Sequence, residues 1–386
     1  MRILSVIELM NPLFGGATER AYQMGRYLDL AGWKVDILTT KWRLDREWLS
    51  QLPNENIHSV DVFYFRYLFP LGVSRWLNKN IINYDIIHIS KNWSLLASIS
   101  AYVAIKNNTP YVFSPMGFVT VHNRSKLLKM LYRKYLTIPM IRNASACIAV
   151  TDEERNDLIN AGASPESVHV IPNGIIPENF LHKDDNAFRD DFSLGNQKIM
   201  LFIGRMDPIK GVHLLIDAFH SEKESLNEWV LVLIGTQTSY RKKMEFKTLG
   251  LGLKDQVIFL DPIFGNAKSR AYHAAEFIVI PSVKDAMTIV APEAACCSKP
   301  VLITNTSNFN ELAECGGALE VNPTVESLSC GLVTMSSNDF NRKEMGKKGF
   351  DYIVQNYHWK HQVQKFMNVF SSVSKNALLY KPVSLS

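Results

Sequence analysis

The sequence predicts an α/β protein made of two doubly wound, parallel-sheet domains. Three observations carry that reading. The chain has 386 residues, more than one ordinary core holds, and such a length divides into domains of roughly 150–200 residues. Short unbroken apolar runs alternate with helical patterns from end to end, as strands covered on both faces require. The alternation occurs twice, on either side of a stretch at 171–197 rich in proline, glycine and acidic residues, which reads as a linker.

Taken in order, strands are expected at residues 3–7, 35–38, 60–65, 86–89, 111–113 and 146–150 in the first half. Between the first two, Ala17, Ala21, Met24, Leu28 and Ala31 share one helical face, and Gly32 ends that helix. The second half is expected to hold strands at 168–171, 199–203, 230–234, 257–260, 277–280 and 301–303. The stretch KEMGKKGFDYIVQNYHWKHQVQKFMNVFSSV reads as a long final helical segment that either domain could hold. The tail from Lys375 has no pattern.

Composition narrows the class. Apolar residues make up 47% of the chain and charged residues 20%, the balance of a soluble, well-packed protein. A formal charge of +5 is too mild to argue for nucleic acid. Cys147, Cys296, Cys297, Cys315 and Cys330 contain no C-x-x-C pair. They read as reduced thiols and not as a disulfide frame or zinc site. The opening MRILSVIEL has no cleavage site and reads as a buried first strand. No apolar run reaches 18 residues, so no span is expected. The expected compartment is the cytoplasm.

Three stretches carry chemistry. In KIMLFIGRMDPIKG a strand ends in Gly204 and Arg205, and Lys210-Gly211 opens a helix. Glycine lets a ligand approach the backbone, a helix start offers free N–H groups, and the two cations add full charges. The combination suits a phosphate. A solvated surface turn is the alternative. The G-x-x-x-x-G-K-[ST] loop is absent, which argues against P-loop hydrolysis. The second stretch, FIVIPSVKDAMTIVAPEA, sets Asp285 in a strand-end loop and Glu293 beside Pro292 at a helix start. Glu293 there either complements the helix dipole or accepts hydrogen bonds from vicinal hydroxyls such as a ribose, and Asp285 could serve a sugar. The third, NPLFGGATERA, places Gly15-Gly16 between the first strand and first helix. They form a tight turn or a close approach to a bound group. No G-x-G-x-x-G fingerprint is present.

These features, in this order, resemble a retaining glycosyltransferase of family 4 with the GT-B fold. The matching pieces are LFGGATERAYQMGRYLDLAGWKVDILT, SPMG, TDEERNDLINAGA, VIPNGI, GRMDPIKG and DAMTIVAPEA. The resemblance implies two Rossmann-like domains facing across a cleft. Residues 1–175 would bind the acceptor and 176–354 the nucleotide-sugar, with a helix at about 355–373 returning to the first domain. It puts Arg205 and Lys210 on the donor diphosphate, with Gly204 at the same turn and Gly15 and Gly16 near the phosphates. Glu293, the second acid of a Glu-x7-Glu motif, falls on the ribose. The chain departs from the family at two places. Asp285 stands for the first Glu, and Ala286-Met287 for the usual Gly-Phe. Met116 stands where a His often contacts the donor sugar, and His122 is the nearest substitute.

The implied reaction moves a hexose from a nucleotide-diphosphate sugar to a saccharide or lipid-linked saccharide, as in bacterial surface polysaccharide synthesis. Arg205, Lys210 and helix-start N–H groups would stabilise the departing phosphate, with Asp285 at the sugar, and no cofactor or metal is expected. Asp184-Asp185 and Asp190-Asp191, the acidic pairs available to a metal, sit in the presumed linker. Residues 124–142 hold Arg124, Lys126, Lys129, Arg133, Lys134 and Arg142 among apolar residues, with no acid. They read as an amphipathic helix able to rest on an anionic membrane, at the inner face of the plasma membrane, or as a solvated face. Interleaved stacking aromatics are not evident, so nucleic acid is not an expected partner. Two rival readings are a nucleotide-sugar 2-epimerase and a degenerate donor-binding subunit.

Overall fold

A computed structural model describes residues 1–11, 16–50, 57–65, 67–117 and 126–374. The chain divides into two compact units. One is Met1–Gly174 with the chain from Trp359 onward, and the other is Ile175–His358.

In the first unit the strands are β1 (Arg2–Val6), β2 (Lys34–Thr40), β3 (Ile57–Val60), β4 (Val62–Phe65), β5 (Tyr67–Pro70), β6 (Ile86–Ser90), β7 (Tyr111–Ser114), β8 (Ala146–Ala149) and β9 (Val168–Val170). Seven form one sheet in the order β3-β2-β1-β6-β7-β8-β9, and every pairing in it is parallel. Chain order reverses between β1 and β6, the place where such sheets receive ligands at their carboxyl ends.

The expected strand at 60–65 is two strands. Asp61 interrupts the run, and its carbonyl accepts from Leu71 N–H, so β4 turns away into an antiparallel hairpin with β5. The strand expected at 168–171 belongs to this first sheet as its edge. The basic segment is not one continuous helix. Within the described residues it runs as helix Lys126–Tyr132, a π turn Arg133–Thr137 and helix Ile138–Arg142. Pro139 has no N–H to continue the α ladder, and the wider turn precedes it.

The second unit holds β10 (Lys198–Ile203), β11 (Trp229–Ile234), β12 (Val257–Leu260), β13 (Phe277–Ile280), β14 (Val301–Thr304) and β15 (Ala318–Val321). Their order is β12-β11-β10-β13-β14-β15, again all parallel. The reversal here lies between β10 and β13. Edge strand β15 has no counterpart among the expected strands, because ALEV is short and carries Glu320. The presumed linker is also structured. Asp184 caps helix Asp185–Asp191 by accepting from Ala187 N–H (3.2 Å), and Phe188 and Leu194 are buried.

The final helical segment breaks at His358, whose extended backbone forms a parallel bridge with Ile175. Helix Arg342–Tyr357 belongs to the second unit. Helix Trp359–Val373 belongs to the first, where Val363, Phe366 and Phe370 are fully buried. Trp359 explains the glycine of VIPNG, since a Cβ on Gly174 would meet its indole at 2.6 Å. The buried Arg20 guanidinium lies over the Phe366 ring (5.0 Å) and donates to Asn173 Oδ1 (2.9 Å) and Ile171 O (2.7 Å).

His88, on β6, is buried beside that helix, with Nε2 hydrogen-bonded to Ser114 Oγ (2.8 Å). Burial, helped by the Arg20 charge, pushes its pKa down to about 3. The unfolded chain binds this proton near pH 6.5 and the folded chain only near 3. The stability contributed by neutral His88 is therefore intact above 6.5 and falls as pH drops through that window. Denaturant titrations should find the acid-side decline flattened in His88→Gln relative to the natural chain.

Candidate functional site

The carboxyl ends of β10, β13 and β14 bring the second unit's candidate residues together. β10 ends against β11 through Gly204 N–H, which donates to Ile234 O (3.0 Å). A Cβ on Gly235 would meet Gly204 O at 2.2 Å, so these strand ends meet only because glycine is there. Arg205 follows, exposed, with no hydrogen bond or ion pair among the described residues.

Asp207 then sets a tight turn, its Oδ1 accepting from Ile209 N–H (3.1 Å). The turn Pro208–Lys210 is 3-10, and Gly211 caps helix Val212–Ser221 with φ +70°. Lys210 ends that turn and stands directly before the Gly211 cap of the helix. Gly211 is doubly required. Its φ favours glycine, and a Cβ would stand 1.8 Å from Pro281 O.

That contact seats the loop after β13 against the turn. Val283 N–H donates to Ile209 O (2.8 Å), and Asp285 N–H donates to Thr306 O in the loop after β14 (3.1 Å). Asn308 Nδ2, on a left-handed residue, donates to Asp285 O (2.7 Å). Thr304 Oγ1 donates to Ser282 O (2.7 Å). Three loops are laced into one rigid edge. Across it the Lys210 ammonium is ion-paired with Asp285 Oδ2, whose other oxygen accepts from Ala286 N–H (3.0 Å). Ala286 is half-buried and Met287 buried. Of the two cations, Arg205 is uncommitted among the described residues, and Lys210 is paired.

Glu293 lies in the first turn of helix Val290–Cys296 and is buried. Its carboxylate does not cap the backbone. Lys268 Nζ donates to Oε1 (2.6 Å) and Tyr272 Oη donates to Oε2 (2.6 Å), both from helix Gly265–Ala274. Burial and the neighbouring Glu293 charge raise the Tyr272 phenol well above its ordinary range, so it remains a donor. Lys268 and Tyr272 escaped the sequence reading. They are one helical turn apart, but nothing local couples them to Glu293.

In the first unit, Gly16 is the first residue of helix Gly16–Leu30 and is half-buried. Gly15 and His122 lie outside the described residues. Met116 follows β7, half-buried, with φ +53°. Gly117, at φ +101°, donates its N–H to Glu154 Oε1 (2.6 Å), and Val150 N–H donates to Glu154 Oε2 (2.8 Å). Buried Glu154 thus holds the SPMG turn in place. Its burial raises its pKa, while those two hydrogen bonds and Arg20 oppose the shift. Among the described residues no group of three or more His, Cys, Asp or Glu side chains could hold a metal ion. A surface pocket of about 410 Å³ lies at the opposite ends of β13 and β14, lined by Glu276, Lys299 and Arg342. None of the candidate residues lines it.

Comparison with known proteins decides the family. Residues 14–179 match the family described as Glycosyltransferase Family 4, and residues 184–351 match Glycosyl transferases group 1. Between them the two cover most of the chain. It belongs to glycosyltransferase family 4.

Curated relatives of this family member include D-inositol 3-phosphate glycosyltransferases. The one from Geodermatophilus obscurus is 28% identical over 173 residues, 42% of this chain and 38% of that protein. The one from Corynebacterium diphtheriae is 24% identical over 322 residues, 79% of this chain and 75% of that protein. The lipopolysaccharide 1,2-N-acetylglucosaminetransferase of Salmonella typhimurium is 25% identical over 211 residues, 52% of this chain and 55% of that protein. Several of these matches thus span well under two thirds of the relative's own length. Among solved structures, Anabaena HepE in complex with UDP and glucose has a TM-score of 0.80 at 20% identity, covering 96% of this chain and all of that one. WaaG, a glycosyltransferase involved in lipopolysaccharide biosynthesis, has 0.71 at 18%, covering 95% and 99%. Likeness at this identity concerns the fold, and the fold is GT-B.

Two substitutions check the local construction. Gly211→Ala should lower stability by about 1–3 kcal/mol through strain and overpacking, read as a fall in denaturation midpoint. Tyr272→Phe removes a hydrogen bond to a buried carboxylate and should cost about 1.5–3 kcal/mol. An unchanged midpoint in Tyr272→Phe would mean that the phenol contributes nothing there.

Proposed function

We propose that the chain is a retaining, metal-independent hexosyltransferase that moves a sugar from a nucleotide-diphosphate sugar to a saccharide or lipid-linked saccharide in surface polysaccharide synthesis. One observation carries the reading. Uncommitted Arg205, the Lys210–Asp285 pair and Glu293 all follow the two strands at which the second sheet reverses its order. The names of relatives and neighbours agree with it: HepE was crystallised with UDP-glucose, and the Salmonella relative acts on lipopolysaccharide.

The chemistry follows from charge. The bond between the anomeric carbon and the β-phosphate oxygen breaks, and negative charge grows on that phosphate. Arg205 can fork across two phosphate oxygens, and Lys210 adds a point charge. Each such preorganised donor is worth about 3–4 kcal/mol in a water-poor site. Asp285 aims Lys210 and offers its remaining lone pairs to the sugar. Glu293, paired with Lys268 and oriented by Tyr272, accepts from the ribose hydroxyls. Gly204 admits the phosphates, and Ala286 and Met287 line the sugar. The acceptor hydroxyl attacks the same face that the phosphate leaves, and its proton passes to the departing phosphate oxygen. No protein nucleophile is required.

The acceptor is placed on the first unit, with the basic segment on a membrane of the cytoplasmic face. Leu128, Met130, Leu131 and Tyr135 are exposed there beside Lys134, an apolar and cationic surface together. No helix among the described residues is long and apolar enough to cross a membrane.

Arg205→Ala should reduce turnover about 100-fold or more while leaving the melting temperature unchanged, since Arg205 holds nothing else in place. Lys210→Met should abolish turnover and also lower the melting temperature. It strands Asp285, whose side chain is 14% exposed. Turnover should persist in EDTA. Nucleotide-sugar binding without transfer to any acceptor would instead favour a degenerate donor-binding subunit. Flotation with anionic vesicles should bring the protein to the lipid at low salt and release it at high salt. Equal partition onto neutral vesicles would remove the membrane contact.

A further inference from the structure

The amino edge of the second sheet carries a pocket that the donor chemistry does not use. Its volume is about 410 Å³, and it opens at the starts of β13 and β14. Glu276 precedes the first of these strands, and Ser298, Lys299 and Pro300 precede the second. Asn341, Arg342 and Lys343, at the start of helix Arg342–Tyr357, complete the polar lining. Arg205, Lys210 and Asp285 follow the carboxyl ends of the same sheet, so the two places stand at opposite edges of this unit.

The lining is fixed through its backbone and open at its side chains. Helix Val290–Cys296 ends in a Schellman turn, with Ser298 N–H donating to Ala295 O (2.8 Å) and Lys299 N–H to Ala294 O (3.0 Å). Ser298 takes the left-handed position, φ +53°, that glycine usually fills. A serine there is strained. What it adds over glycine is a hydroxyl that has no hydrogen-bond partner among the described residues. Ser298 O meets the other wall at Gly346, where a Cβ would stand 1.9 Å away, so helix Arg342–Tyr357 is locked onto this turn. Arg342 Nη1 donates to Met335 O (2.6 Å) and Ser337 O (2.9 Å), and the guanidinium lies over the Trp229 ring (5.7 Å). Those partners are all neutral. Glu276 is half-buried and Lys343 exposed, and neither they nor Arg342 form an ion pair among the described residues.

We infer that this pocket binds a sugar phosphate: Arg342, Lys343 and Lys299 hold the phosphate, while Glu276 and the Ser298 hydroxyl take hydroxyls of the sugar. Three cations and one acid line it, a balance that draws an anion. Inorganic phosphate alone would leave most of a ligand-sized volume empty and would bring only like charge to Glu276. A carboxylate accepts hydrogen bonds and donates none, so Glu276 calls for donors on the ligand. Hydroxyls supply them, whereas an ammonium would meet the three cations. A nucleobase finds no open ring to stack on, because Phe340, the aromatic residue of the lining, packs on the core of this unit. The site is independent of the transferase reading and gives the unit a second ligand at the edge opposite the donor.

Calorimetry on the full chain tests this with four probes: glucose 6-phosphate, glucose 1-phosphate, methyl glucoside and inorganic phosphate. Excess UDP is present throughout to fill the donor edge. At least one glucose phosphate should bind about tenfold or more tighter than either methyl glucoside or inorganic phosphate. Lys343→Ala removes an exposed side chain that holds nothing in place, and Glu276→Gln keeps the shape of the acid. Each should weaken glucose phosphate binding about tenfold or more with the melting temperature unchanged, and Glu276→Gln should not weaken inorganic phosphate. Arg205→Ala should leave glucose phosphate binding as it was. Absence of binding by both glucose phosphates, equal affinity for inorganic phosphate, or unchanged affinity in both pocket variants overturns the inference. So does a loss of glucose phosphate binding in Arg205→Ala, which would place the ligand at the donor edge.

Discussion

Gly211 rests on the carbonyl of Pro281 with no space for a β-carbon between them. This contact binds the turn after β10 to the loop after β13, and the candidate donor site depends on it. Parallel strands leave their carboxyl ends as separate loops, each free to choose its own path. Here one backbone approach, two backbone hydrogen bonds, the Thr304 hydroxyl and the Asn308 amide fix the relation between Lys210 and Asp285. A lysine is a long, mobile point charge. Holding it against a short acid anchored by its own backbone converts it into a defined one.

The same economy governs the buried charges. Glu293 is placed by its own helix but made useful by another, since Lys268 and Tyr272 both reach it from Gly265–Ala274. In the first unit, Glu154 satisfies two backbone N–H groups, and Arg20 ties the first helix to Ile171 and Asn173. A buried charge is tolerated where its hydrogen-bonding capacity is largely spoken for. These residues stabilise loops, and the loops present the chemistry. Asp285 in place of the family's longer acid fits that picture. The shorter side chain brings the carboxylate nearer its own backbone, where Ala286 N–H steadies it.

Much of the architecture was legible in the sequence. Long apolar runs such as those of β10, β11 and β13 have no other use than a sheet covered on both sides, and the glycines and cations of GRMDPIKG mark a strand-end turn. Reading failed where geometry competes with pattern. An acid inside an apolar run broke the strand expected at 60–65, and Pro139 broke the basic helix. A bridge between Ile175 and His358 broke the final helical segment. The acidic linker acquired a helix because Phe188 and Leu194 found a core to enter.

The sequence by itself determined the α/β class, the two parallel sheets and which residue types stand at the strand ends. Those follow from periodicity and from glycine, both local properties. Only the tertiary structure decided which charges are free and which are spent. Arg205 and Lys210 look equivalent along the chain, yet Lys210 meets Asp285, 75 residues on, and Arg205 meets nothing among the described residues. Pairing depends on which strands become neighbours in the sheet, and neighbourhood across a crossover leaves no trace in the spacing of residues.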